Sequence, residues 1–485
     1  MSRPAMATDA VAATRAGAVS TGPTRRGPAW RAWLAALVVA MLVATGLAAW
    51  VPPMQSPDEN QHVARGHLLA HGVLELHAPK GMMSGGDVDP ALARYIDGFL
   101  QGLAGDPAKR LAPDDRAALE ALRWTPGPET SFLQIPGTGY YLPLAYLPHA
   151  LGLGLGELFG LTVHHSYLLA RGVVQAFVLA ILAAAWAIRR PPPLALAVLA
   201  LPMTMFQLVS PTIDGLTAAL AMLVIALTMR HAPREAPPVS PAAIAAMSLA
   251  LLVIGTTRLH LLPLLATPWF LAWRRRDARL ACAGAAVLAA TLAWSAWAIA
   301  TTVDLRIPRP FTTAQLVVHY LGAPLDALAA IGRTLADPHR QQFYLTSFVG
   351  NLGWLDTPLA PAHHRALLIG LLVLAALSPR RPGEPGRNAA RALLGVGAGV
   401  SFVLAFGAML VSFTPLPVTT IEGVQGRYFL IPALALAWAW AGDGHRDANT
   451  AAPARVLDRL RWAALAAYAA GSTWVLVVTL QARFP

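Results

Sequence analysis

The feature that most constrains this chain is the recurrence of long uncharged apolar runs, beginning with WLAALVVAMLVATGLAAWV at residues 33–51. A helix rises about 1.5 Å per residue and the hydrocarbon core of a bilayer is about 30 Å thick, so roughly 20 apolar residues cross it. Further runs lie at 168–188, 194–209, 215–229, 242–257, 259–273, 280–303, 366–378, 392–413, 428–441 and 462–480. About eleven spans are therefore expected, although several runs are short and either extend past these limits or end inside a cavity. Of 485 residues, 56% are hydrophobic and 13% charged, and the mean hydropathy is +0.51, which is not the balance of a soluble enzyme. The expected fold class is all-α, a multi-spanning α-helical integral membrane protein.

The net charge of +12 has to be read by position. The first 32 residues, rich in Ala, Thr, Gly and Arg and without periodicity, read as a disordered basic cytoplasmic arm, and residues 33–480 as one transmembrane domain. With the amino terminus inside, 21 of the 37 Lys and Arg but only 7 of the 25 Asp and Glu fall on inner segments, about +14 inside against −2 outside. That is the positive-inside asymmetry, and counting YYLPLAYLPHALGLGLGELFGL (140–161) as a span would invert every later loop. This stretch is therefore expected as a surface helix. The basicity is topological, and no nucleic-acid partner is expected.

Two long outer loops follow, 52–165 and 304–365. In the first, Leu92, Ile96, Phe99 and Leu103 share a helical face, and Pro113 followed by two acids reads as a helix start. The single cysteine, Cys282, excludes an internal disulfide. No His or Cys spacing points to zinc and no glycine loop cradles phosphate, so nucleotide hydrolysis is not expected.

Chemistry gathers where the first span ends, in WVPPMQSPDENQHVARGHLLAHG. Ser56, Pro57 and Glu59 form a capping-box pattern, which explains Glu59 but not Asp58. A helix starting at Pro57 would put Asp58, His62 and Arg65 on one face. Other outer turns add Asp214 in LVSPTIDG, Arg258 in GTTRLHLLP, Trp354 and Asp356 in SFVGNLGWLDTPLAP, and Gln425, Arg427 and Tyr428 in IEGVQGRYFLIP. Arginine at membrane depth on the outer face costs about 2.5 kcal/mol or more unless a cavity or an anion receives it. Each residue also has a plainer reading. Asp214 caps a helix, Arg258 snorkels to headgroups, Tyr428 and Phe429 form an aromatic belt, and Trp354 anchors at the interface. Gly423 and Gly426 imply close backbone approach.

SPDENQHVARGHLLAHG, SPTIDG, FVGNLGWLDTPL and above all GVQGRYFLIP resemble, in order, the bacterial membrane family called domain of unknown function 2142, over about residues 50 to 440. That family in turn resembles the glycosyltransferase-C superfold. The resemblance implies an enzyme of the bacterial inner membrane, acting extracytoplasmically with jaw-like surface helices in its first loop. It would move a sugar from a polyprenyl-phosphate carrier to a cell-envelope glycan or lipid acceptor. It marks Asp58 and Glu59 as the acidic position after the first span. On that basis Asp58 is the expected base, His62 orients it or the acceptor, and Asp214 is a second polar contact. Arg258 and Arg427 hold phosphate, Gln425 and Trp354 contact sugar, and Arg65, Asp356 and Tyr428 complete the substrate-binding set. Direct displacement implies inversion, and Asp58, Glu59 and Asp214 are open to a divalent cation, Mg or Mn. The alternatives are a transporter or flippase of lipid-linked glycans and a non-catalytic lipid-phosphate-binding protein.

Overall fold

The structure, a computed structural model, describes residues 29–378, 385–441 and 452–484. The arm expected at 1–32 falls outside the described residues as far as residue 28. Helix dominates, as the apolar runs require, because in hydrocarbon the backbone must satisfy its own hydrogen bonds. Among the described residues, five helices are long and apolar enough to cross a membrane: Val163–Ile188, Ile213–His231, Ala278–Thr301, Pro385–Ser412 and Arg455–Arg483. Thr313–Gly322 and Pro324–Ala336, bent by 100°, would make a sixth if counted as one span. Val38–Ala49, Pro241–Thr257 and Pro361–Leu377 are shorter apolar helices.

Three of the eleven expected runs are interrupted, and their sequences say why. The run at 194–209 divides into Pro193–Leu199 and Pro202–Val209, since Pro202 lacks an N–H and pushes Leu201 out of the helical region. The run at 259–273 opens as a 3₁₀ helix, Leu259–Ala266, carrying Pro263, before Thr267–Arg275. The run at 428–441 starts with a 3₁₀ turn, Gly426–Phe429, and continues as Leu430–Ala441.

Ile213–His231 is the central helix, 89% buried over its apolar window, whereas four other long helices bury only 22–33% of theirs. Their outer faces expose Phe177, Leu292, Val396 and Trp474, as do Leu42 and Leu372 on shorter helices. Side chains of this kind on the outside of a bundle match a hydrocarbon surround. At one end the arginines expected inside gather: Arg190 lies 4.4 Å from the Trp462 ring, Arg230 donates to the Ile188 carbonyl at 3.2 Å and Arg275 to the Pro233 carbonyl at 2.8 Å.

The opposite end carries both long loops. Pro90–Leu103 buries Leu92, Ile96, Phe99 and Leu103, the face its spacing marks, and Pro113–Glu120 begins at its proline. Residues 140–161 contain a 3₁₀ turn, Pro143–Tyr146, and a twelve-residue helix, Leu147–Leu158, too short to span, with Leu147, Leu151 and Leu158 exposed. A two-stranded sheet, Gly85–Val88 against Ser131–Gln134, joins them. Strands of four residues are too short to stand out by periodicity.

Candidate functional site

The site is built where the first loop meets the bundle. The helix expected from Pro57 begins instead at Glu59, because Asp58 adopts a left-handed conformation with φ of 66°. Asp is among the few residues that tolerate this region, at a cost of order 1–3 kcal/mol. Its carboxylate does not cap the helix below it. It turns away and accepts from Arg427 Nη2 at 2.8 Å. The capping box is half made. Glu59 accepts from the Ser56 amide at 2.9 Å, from the Met54 amide at 3.1 Å and from the Tyr167 hydroxyl at 2.6 Å, while the Ser56 hydroxyl returns no bond. Glu59 is thus fully buried and holds the loop in shape.

Arg427 is delivered by the glycine before it. Gly426 donates to Ser347 Oγ at 2.8 Å, and a β-carbon there would overlap the Tyr344 carbonyl and the Phe348 amide. Only glycine allows this approach. Arg427 then stands between two carboxylates, with Nη1 3.6 Å from Asp214 Oδ2, and its guanidinium lies 5.6 Å from the Tyr428 ring. Asp214, in the first turn of Ile213–His231, also accepts from Arg258. Arg258 follows the helix Pro241–Thr257 and donates to the Tyr141 hydroxyl at 3.1 Å. Asp58, Arg427, Asp214 and Arg258 form one alternating chain of charge. The side chains of Arg427, Asp214 and Arg258 are 3%, 11% and 12% exposed, and Asp58 keeps 42%.

That exposed portion faces a cavity of about 330 Å³. Its polar end presents Asp58, Gln61, His62, Arg258, Arg306 and Gln425, and its other wall is apolar, with Ile299, Val317, Ala405, Met409 and Phe413. Burial pushes the Asp58 carboxyl up, but the charge and hydrogen bond of the Arg427 guanidinium hold the group below the ordinary carboxylate value. His62 shares a hydrogen bond between Nδ1 and the Tyr146 hydroxyl at 2.9 Å, and burial draws its pKa down to about 3, so at neutral pH it is uncharged.

Seven of the eleven candidate residues therefore meet here: Asp58, His62, Asp214, Arg258, Gln425, Arg427 and Tyr428. Asp214 is not a helix cap and Arg258 does not snorkel, since both are committed to each other. Tyr428 lines the cavity and Phe429 packs on Phe402 at 4.7 Å, so neither forms an interfacial belt. The other four lie elsewhere. Glu59 serves the loop. Arg65 is buried and donates to the Val73 and Leu74 carbonyls at 2.9 and 2.6 Å, because the late helix start removes it from the face of Asp58. Trp354 donates to the Met54 carbonyl at 2.7 Å, and Asp356 accepts from the Gly105 amide at 2.9 Å and the Thr357 hydroxyl at 3.0 Å. Both tie the second loop to the first.

Asp58, Glu59 and Asp214 do not fit a Mg or Mn site. Glu59 is occupied, and guanidinium groups stand where a cation would have to sit. Sequence reasoning missed Arg306, Gln61, Tyr140 and Tyr141. Arg306 is held by Asp304 through two bonds of 2.9 and 2.6 Å. Arg309 donates only to the carbonyls of Val411 and Ser412, and has no carboxylate partner among the described residues. An arginine directly after an outer span end, the signal that marks Arg258, applies equally to Arg306.

Fold and site together define a multi-spanning helical membrane protein with an ion-paired polar pocket at one end of its bundle. Over residues 41–436 the chain matches the model of the predicted membrane protein family DUF2142, and it belongs to that family. Among solved structures it is similar to ArnT from Cupriavidus metallidurans bound to undecaprenyl phosphate, at 16% identity and a TM-score of 0.39, with 94% of this chain and 77% of that one covered. No curated protein matches it.

Proposed function

We propose that the protein is a membrane glycosyltransferase of the bacterial inner membrane that takes a sugar from a polyprenyl-phosphate donor at this cavity, on the extracytoplasmic side, and passes it to a cell-envelope glycan or lipid. The observation that carries the reading is the exposed carboxylate of Asp58, set beside guanidinium groups at the polar end of a cavity whose other wall is apolar. Such a cavity suits a ligand with an anionic head and a hydrocarbon tail. Arg258 and Arg306, which face it, hold the phosphate. Arg427 lies behind and keeps Asp58 ionised and aimed. The Asp58 carboxylate takes the proton of the acceptor hydroxyl as the acceptor oxygen bonds to the anomeric carbon. The bond from that carbon to the phosphate oxygen breaks, and its electron pair leaves with the lipid phosphate, facing the arginines. One displacement inverts the anomeric centre. No step uses a metal.

The test is reconstitution of the purified protein in liposomes with a labelled polyprenyl-phosphate sugar. Acceptor-dependent release of lipid phosphate, with the label moved to the acceptor, is the expected result. The competing reading, movement of an intact lipid-linked glycan across the bilayer, draws on the helix breaks at residues 200–201 and 258. Redistribution of label between leaflets with the sugar–phosphate bond intact would select it.

A further inference from the structure

The far end of the helix that begins beside Asp58 carries a second polar cluster which the proposed transfer does not use. His67 lies in the last turn of Glu59–Ala70, His71 caps its end four residues on, and Leu147–Leu158 brings Glu157 beside them. One ligand atom from each lies within 4.8 Å of the other two. His71 Nε2 is 3.3 Å from Glu157 Oε1, about the spacing of two ligands on a tetrahedral ion with bonds near 2.0–2.2 Å. The Nδ1 of His71 donates to the His67 carbonyl at 3.0 Å, which leaves the lone pair on Nε2, the atom that faces Glu157.

His67 supplies an independent observation. It is 4% exposed and lies flat against Trp124, with ring centroids 5.5 Å apart and planes 12° apart. Neither of its ring nitrogens has a hydrogen-bond partner. An imidazole buried with both nitrogens unsatisfied is unfavourable unless something binds it. The scaffold is rigid. A β-carbon on Gly66 would lie 2.5 Å from His149 Cβ, so the two helices approach as closely as their backbones allow. His71 and Glu157 remain 46% and 34% exposed, which gives an ion access from outside.

We propose that His67, His71 and Glu157 form a site for one divalent transition ion of the zinc type. Two imidazoles and a carboxylate are borderline ligands that suit zinc rather than magnesium or calcium. His67 lies about 13 Å along the helix from Asp58 at 1.5 Å per residue, so the ion takes no part in the reaction there. It fastens the helix that carries His62 to its neighbour and braces one wall of the cavity. This corrects the expectation that no His spacing points to zinc: His67-x-x-x-His71 is half of the site, and it is incomplete in the sequence because the third ligand comes from a helix far along the chain.

The experiment uses the full-length protein without a polyhistidine tag, stripped with chelator in detergent and titrated with zinc chloride by calorimetry. One equivalent is expected to bind and to raise the thermal midpoint, and cobalt in place of zinc is expected to give visible absorption of a low-coordinate N/O site. The His71→Ala, Glu157→Gln double variant should lose zinc affinity by about 100-fold or more and lose the cobalt signal. Both side chains are partly exposed, so its metal-free thermal midpoint should stay near that of the wild type, which separates lost ligation from lost folding. A wild-type protein that shows no saturable zinc binding overturns the site, as does a double variant that binds zinc as tightly as the wild type.

Discussion

At the level of single residues, the site is a balance of charges whose members are not equally free. Arg427 sits between Asp58 and Asp214 and is 3% exposed, so Arg427→Gln takes from Asp58 its guanidinium partner and leaves Asp214 to Arg258 alone, and should cost about 1–3 kcal/mol, seen as a lower thermal midpoint in detergent. Asp58, with 42% of its side chain open to the cavity, can be neutralised at far lower cost to the fold. The loop histidines add a pH dependence with a definite sign. Burial draws His62 down to about 3, and His149 and His67 to about 4, from an ordinary 6.5. Between 6.5 and those values the unfolded chain binds more protons than the folded one, so stability is lost as pH falls through this window. Glu59 and Asp97, both pushed up by burial, oppose this above their ordinary values, two groups against three. The thermal midpoint of the metal-free protein should therefore drop on going from pH 7 to 4.5, and a rise would contradict these environments. Arginine at an outer span end was the most informative residue in the sequence, because its cost in a membrane forces a partner. Arg65, Trp354 and Asp356 misled because polar side chains also serve loop backbone carbonyls and amides, and sequence spacing does not distinguish the two uses.

At the level of elements, two helix starts decide where chemistry lies. The left-handed turn at Asp58 delays one helix, and the 3₁₀ turn at Gly426–Phe429 delivers Arg427. Gly426→Ala should push Arg427 off Asp58, costing about 1–3 kcal/mol from overpacking and about 10²-fold in transfer rate from misplacement of order 1 Å. Glu59→Gln retains one acceptor oxygen for three donors and should cost about 1–3 kcal/mol while leaving the rate per folded molecule near wild type. Equal loss of rate at Glu59 and Asp58 would contradict the separation of their roles. The helical faces of Pro90–Leu103 and Pro113–Glu120 were legible because periodicity and proline position are local signals. The breaks in runs 194–209 and 259–273 were marked by Pro202 and Pro263 but hidden by unbroken hydropathy, which measures apolarity and not backbone continuity. The late start at Glu59 has no local signal, since it follows from the tie between Asp58 and a residue 369 positions away.

Over the whole molecule, the charge pattern that organises the sequence also divides the structure into a basic end and an end bearing the loops and the cavity. Sidedness follows if the basic end is cytoplasmic. In a Cys282→Ser background, Glu129→Cys should react with a membrane-impermeant maleimide in intact cells and Arg276→Cys should not, and the reverse pattern would turn the bundle over. The membrane class and family were readable because hydropathy, charge asymmetry and motif order survive without any knowledge of packing. The number of crossings was not, because runs of 13 to 16 apolar residues serve equally as interrupted spans or as buried core. What joins the scales is one carboxylate that the bundle orients but does not enclose. The most direct measurement is the initial rate of lipid-phosphate release by Asp58→Asn in liposomes, at equal folded protein and equal donor binding. Proton removal by Asp58 predicts a loss of 10²-fold or more, about the range of general-base catalysis, whereas a rate within about threefold of wild type would contradict it.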